Sequence, residues 1–169
     1  MKLTEQRVRA AYEALATLDK DHITTFWAED VRFLTPGRSV HSGWRHGIDD
    51  TIRFLRTVRD VSGGSLETDM STILIDQDRQ LSIDLFSTRA RREGSRPESR
   101  AAADLLSFDG VHVLKWSDGR IHEGTFAIFG DGTRRYDQWW KAAGLADGAT
   151  GAGTVDDSPA PPRNEEKPQ

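Results

Sequence analysis

One histidine stands where this chain could do chemistry near neutral pH. In VHVLKWSDGRIHE (Val111–Glu123), read as a strand, successive side chains point to opposite faces. The alternation places His112, Leu114 and Trp116 on one face of a strand and Val111, Val113 and Lys115 on the other. If the Leu/Trp face lines a pocket, His112 lies in it and can serve as acid, base or donor. The competing reading is a histidine hydrogen-bonded for structural reasons. Glu123 shares a face with Ile121 and Thr125. A carboxylate buried there has a raised pKa, whereas one paired with a nearby arginine does not. Asp104, flanked by Ala103 and Leu105, is an acid inside an apolar strand, either a pocket carboxylate or an edge residue facing water. His41, Trp44 and His46 fall in a loop ahead of a helix, a frequent pocket rim. Trp44 there is either an apolar wall for a ring-bearing ligand or an anchor for its loop. The spacing of the two histidines matches no familiar zinc motif and cysteine is absent, so no metal site is expected.

These residues need elements to hold them. Val8, Ala11, Tyr12, Leu15 and Leu18 recur at helical spacing and predict a first amphipathic helix. Asp19-Lys20-Asp21 ends it, and Asp21 is placed to cap a short second helix carrying Ile23, Phe26 and Trp27. Val31–Thr35 alternates toward β, and Pro36-Gly37 turns the chain, with a short strand expected around Ser39–His41. A third helix starts near Gly47 with Asp49 and Asp50 in its first turn, where acids complement the helix dipole. Ser62-Gly63-Gly64 stops it. The strand candidates that follow are Leu66–Ile75, Gln80–Arg91, Ser99–Trp116 and Arg120–Phe129. Asp109-Gly110 marks a bulge or a split inside the third. Tyr136–Trp140 (YDQWW) closes the ordered part, Trp139 and Trp140 sealing the core or a dimer surface. Helices first and sequential antiparallel strands afterwards argue an α+β domain with helices on one face of a meander.

The bulk properties fit one domain, residues 1–146, and a tail. The chain has 169 residues, no cysteine and a formal charge of −4. Disulfides are thereby excluded, and a reducing, cytoplasmic setting is expected. The N-terminus MKLTEQRVRAAYEAL lacks the apolar stretch of a signal peptide, and no run suits a membrane span. The stretch from Asp147 onward carries −3 of the charge and is rich in Gly, Ala and Pro. It lacks the apolar residues to offset its ordering entropy and is expected to be disordered. The nearly neutral remainder has no general drive toward nucleic acid or anionic lipid. Arg89, Arg91, Arg92, Arg96 and Arg100 read as a solvated hairpin tip.

Several spaced fragments together resemble the SnoaL-like family of the nuclear-transport-factor-2-like superfamily. They are AYEALATLD, FWAEDVRFLTPG (Phe26–Gly37), SGWRHG (Ser42–Gly47), SGG (Ser62–Gly64), Val111–Glu123 and YDQWW, spanning roughly residues 5–141. The resemblance implies a cone-shaped fold. Its curved, mostly antiparallel sheet carries three helices from the N-terminal half on the concave face and encloses a pocket. It also implies a homodimer. Strands such as Gln80–Thr88 and Phe126–Phe129 are apolar on both faces, which agrees with pairing through the outer face of the sheet. The family includes polyketide cyclases, ketosteroid isomerases, epoxide hydrolases and dehydratases, so it does not name the reaction. Ketosteroid isomerases place an oxyanion-donating tyrosine on the first helix, where Tyr12 falls. Their second oxyanion donor sits nearest His112. Their base precedes the proline after the first strand, where this chain has Thr35, which cannot serve as a base at neutral pH.

No nucleophile elbow, phosphate loop or dinucleotide fingerprint is present. Chemistry is therefore expected from side chains alone, without cofactor. The first function class is proton transfer on an apolar, cyclic or polyketide-like molecule, with His112, Tyr12 and Glu123 as the working groups. Phe26, Thr35, His41, Trp44, His46, Asp104 and Trp116 are its expected substrate contacts. A non-catalytic binder of such a molecule and a dimerising interaction module are the alternatives. A second ionisable group within hydrogen-bond reach of a pocket-lining His112 favours the enzyme. A pocket filled by Trp and Phe favours the module.

Overall fold

The computed structural model describes residues 2–144. The tail expected from Asp147 onward lies outside them. The elements in chain order are α1 (Glu5–Thr17), α2 (Lys20–Ile23), β1 (Trp27–Thr35), β2 (Gly43–His46), α3 (Ile48–Ser62), β3 (Glu67–Asp76), β4 (Leu81–Arg91), β5 (Leu105–Ser117), β6 (Arg120–Ile128) and α4 (Gly132–Ala142).

The helices begin and end on local chemistry. Thr4 caps α1 by accepting from the Arg7 N–H, and Asp19 caps α2 by accepting from Asp21 and His22. The cap of α2 is thus Asp19 and not Asp21, so the helix starts two residues early and ends before Phe26 and Trp27. Trp27 instead opens β1. Gly63 closes α3 in the left-handed region at φ 54°, its N–H turned back to the last carbonyls. The YDQWW segment forms α4, a fourth helix where three were expected. Tyr136, Trp139 and Trp140 are its buried face.

Six strands form one curved, unclosed sheet in the order β2-β1-β6-β5-β4-β3. From β3 to β6 it is the expected antiparallel meander, and β1 then joins β6 in parallel. This is an α+β fold with one curved, mostly antiparallel sheet. Ser39–His41 is a turn, and the short strand lies at Gly43–His46, so Trp44 and His46 are strand residues. β5 starts at Leu105, which leaves Asp104 in the preceding turn. Asp109-Gly110 neither bulges nor splits the strand, since β4 and β5 pair continuously from Leu81↔Lys115 to Arg91↔Leu105. Glycine is required there by close approach. A Cβ on Gly110 would meet the Ala127 carbonyl oxygen at 2.5 Å and the Phe86 ring at 2.7 Å.

Two apolar clusters fill the inner side of the sheet. One joins α1, α2 and the start of α3 to Trp27, Leu114, Trp116 and Ile121. The other joins α4 to Phe86, Leu106, Phe108 and Phe126. Gly110→Ala tests this packing. Because both obstacles are fixed, overpacking should destabilise the fold by about 1–3 kcal/mol. An unchanged urea midpoint would show that the sheet yields at this point.

Candidate active site

Helix α1 is pinned across the sheet by two side chains. The Trp27 indole donates to the Ala11 carbonyl at 2.8 Å, and Arg7 Nη2 donates to the Gly119 carbonyl at 2.6 Å. This places Tyr12 above β4. The Tyr12 hydroxyl donates to Asp84 Oδ2 at 2.9 Å, and His112 Nδ1 lies 2.8 Å from Asp84 Oδ1. Asp84 and His112 are direct cross-strand partners in the β4/β5 register. Side chains so paired stand side by side on one face. Asp84 is wholly buried and His112 is 8% exposed.

A carboxylate without solvent needs donors to replace its hydration. Asp84 has two, one on each oxygen, from different elements. An ionised Asp84 takes its second donor from His112 Nδ1–H, which orients the imidazole with Nε2 turned away from the carboxylate. Burial pushes the Tyr12 phenol well above its usual pKa, and the adjacent Asp84 pushes it further. Tyr12 therefore stays protonated and keeps its one O–H on Asp84.

Tyr12 and His112 line a cavity of about 740 Å³ between the sheet and helices α1, α3 and α4, within the size range of small-molecule sites. Phe86 stacks on the imidazole with ring centroids 4.0 Å apart, and Phe126 and Phe33 flank it at 5.6 and 6.2 Å. Arg9, Glu13, Arg59 and Asp69 give the cavity a polar rim. The cavity is walled by aromatic residues and not filled by them.

The other expected catalytic and substrate-contact residues do not line it. Glu123 projects from the opposite face of the sheet, where it pairs with Arg32 and with Lys115 at 2.6 Å. These bonds, that of Lys115 foremost, hold its carboxyl below the usual range. Glu123 is thus the ion-paired carboxylate and not a buried pocket acid. Trp116 shares the inner face with His112 but lies in the core, donating to Ser82 Oγ at 2.9 Å. Phe26 packs under Arg7 beside the same core. Thr35 is buried, and its hydroxyl has no partner among the described residues. His41 sits 4.1 Å from the Trp140 ring, and burial followed by the charge of Arg45 lowers its pKa. Trp44 is exposed beneath Arg32, and His46 is exposed on the same strand. Asp104 accepts from Ser99 Oγ at 2.6 Å in the turn before β5. Among the described residues no cluster of three or more His, Cys, Asp or Glu is placed to hold a metal ion, and no helix is long and apolar enough to cross a membrane.

Residues 8–124 match the SnoaL-like domain family. The chain belongs to that family. An uncharacterised protein of Mycobacterium tuberculosis is 26% identical to this SnoaL-like domain over 111 residues, covering 66% of the chain and 83% of the relative. Bal32a, from a soil-derived mobile gene cassette, has a TM-score of 0.64 at 23% identity, covering 80% of this chain and 94% of that one. TerC, crystallised with polyporic acid, has a TM-score of 0.57 at 16% identity, covering 73% and 89%. These structures share the fold of the SnoaL-like domain, which does not by itself carry a reaction over to it.

Asp84 is a site residue that sequence reasoning missed. In LSIDLFST (Leu81–Thr88) the apolar Ile83 and Leu85 flank it, and alternation alone sends those two inward and the acid to solvent. The structure turns the strand the other way: Ser82, Asp84, Phe86 and Thr88 are buried, and Leu85 is 39% exposed. The usable signal was that Asp84 and Phe86 share a face.

The outward pairing of Glu123 sets a pH dependence. A carboxyl whose pKa is lowered on folding contributes stability above its unfolded value and loses it as pH falls through the folded one. Glu123→Gln should therefore cost up to about 1 kcal/mol near neutrality. In urea titrations the gap to the parent should shrink as the pH falls below the ordinary glutamate pKa. A gap that persists or widens in acid would contradict this assignment.

Proposed function

We propose that this SnoaL-like domain is an enzyme that moves a proton on an apolar, cyclic or polyketide-like small molecule. The reaction class is cyclisation, isomerisation or dehydration, with side chains as acid and base. The observation that carries this reading is His112 in the cavity wall with Asp84 at 2.8 Å behind it. A base oriented by a carboxylate is the arrangement general-base catalysis needs. Nε2 takes the proton from a carbon next to a carbonyl, and the C–H electron pair moves onto the carbonyl oxygen as an enolate. The imidazolium, stabilised by Asp84, then returns the proton to a different carbon or to a leaving oxygen. Phe33, Phe86 and Phe126 keep water from the reacting atoms, so that few polar groups have a large effect. Tyr12, expected as an oxyanion donor, is instead a positioning residue, because its proton is committed to Asp84. Glu123 has no part in this chemistry. The absence of cysteine supports a cytoplasmic setting.

Deuterium exchange at the α-carbon of 2-tetralone, followed by NMR in D2O, tests this reading without the natural substrate. The protein should accelerate exchange over matched buffer, and His112→Ala should lower that rate by about a hundred- to ten-thousand-fold while the fold is retained by circular dichroism. An undiminished rate in the variant would remove His112 as the base. Binding of tetralone without any catalysed exchange would favour the non-catalytic binder.

The homodimer is a further part of the proposal. Leu74 and Leu85 are 60% and 39% exposed on the outer face of the sheet, with Ile83, Val111 and Val113 half-buried around them. An apolar face of that kind favours a partner surface. Light scattering at micromolar concentration should give twice the 18.9 kDa chain mass; a single chain mass would overturn it.

A further inference from the structure

One wall of the cavity takes no part in the proton transfer and is built from hydrogen-bond donors. Arg45 on β2 lines the cavity and is 9% exposed. It stands opposite Phe33 in the β1/β2 register, which brings it to the inner face. A guanidinium withdrawn from water ordinarily has a carboxylate beside it. Among the described residues no carboxylate lies within ion-pair distance of Arg45. Asp50, whose charge is felt there, is paired with Arg53 at 2.8 Å. Arg45 Nη2 donates to the His41 carbonyl, the guanidinium lies 3.8 Å from the Phe54 ring centroid, and Nε has no acceptor. One carbonyl and one ring face engage the cation without neutralising it.

The residues beside Arg45 add donors to this wall. Tyr136, Trp139 and Trp140 of α4 line the same cavity; among the described residues the Trp139 indole N–H has no acceptor, and the Trp140 indole and the Tyr136 hydroxyl have only each other, without full hydrogen-bond geometry. Burial pushes the Tyr136 phenol up, so it keeps its proton. Buried donors without acceptors are rare in native proteins and require a cause. The wall is one ring away from the base, since Phe126 lies 5.6 Å from His112 and 6.3 Å from Tyr136.

We propose that Arg45 binds an anionic oxygen of the substrate, so that the site takes apolar ring systems carrying a carboxylate or an ionised enol. This rests on the cavity being a small-molecule site, as argued above. The anion fixes the ring between the Arg45 wall and His112 and so selects which carbon faces Nε2. Planar Arg suits such an oxygen pair better than a flexible ammonium does.

Calorimetry on the full chain with 2-naphthoate and its neutral isostere 2-naphthamide provides the test. The parent should bind the carboxylate about tenfold or more tightly than the amide, the margin of a charge-assisted hydrogen bond. Arg45→Gln should abolish the preference and keep amide binding. Equal binding of the two probes by the parent overturns the proposal without use of any variant, and so does a preference that survives in Arg45→Gln. If neither probe binds, the small-molecule reading of the cavity falls together with the proposal. If the carboxylate preference is present but tetralone exchange is absent, the anion site stands and the proton-transfer reading alone fails.

Discussion

Asp84 has no exposed surface, and a carboxylate in that position costs several kcal/mol unless donors replace its water. The structure meets this demand from two directions. His112 comes from the neighbouring strand by register, and Tyr12 comes from α1, which Trp27 and Arg7 help to tie across the sheet. Shifting any of these elements would leave a buried charge short of a partner. Asp84 thus couples the placement of α1, the β4/β5 register and the rotamer of His112, and the cavity wall inherits its geometry from that coupling.

The same requirement explains why the inner face of β4 is polar where a core would be apolar. Ser82 and Asp84 are fully buried on it, yet each has a donor, the Trp116 indole for one and Tyr12 with His112 for the other. Buried polar groups that are fully partnered rigidify a site. The two apolar clusters then hold the opposite ends of the sheet, and the space between them stays open because aromatic rings line it edge-on and stacked around His112 instead of closing on one another.

The polarity of the cavity is asymmetric. On the β4/β5 side the polar groups satisfy each other, Asp84 taking one donor on each oxygen, from Tyr12 and from His112. On the β2/α4 side Arg45, Tyr136 and the two tryptophans have donors in excess of acceptors. A self-contained pair facing an incomplete one is a sensible division between chemistry and ligand binding, since only the incomplete wall gains from a ligand. The SnoaL-like fold hosts many chemistries because such walls come from side chains that the backbone does not dictate.

The sequence by itself determined the class of fold, the run of the meander, the start of α3 and the face that His112, Leu114 and Trp116 share. Each of these rests on local periodicity or turn chemistry, which a strand or helix expresses wherever it is packed. Tyr12 was reached through a family resemblance, and its partner was not reached at all. Asp84 sits between two apolar residues, so its own neighbourhood points it to water; only pairing with β5 turns that face inward. Glu123 shows the converse, since β6 alone cannot tell whether Arg32 lies across from it, and the parallel pairing with β1 decides that. Arg45 was hidden for the same reason, a cation in a loop-like stretch whose neighbours in space, Phe54 and Tyr136, come from α3 and α4. Periodicity reports which residues share a face. Which face is buried, and what stands opposite it, is settled by contacts between segments far apart in the chain, and those exist only once the sheet has formed.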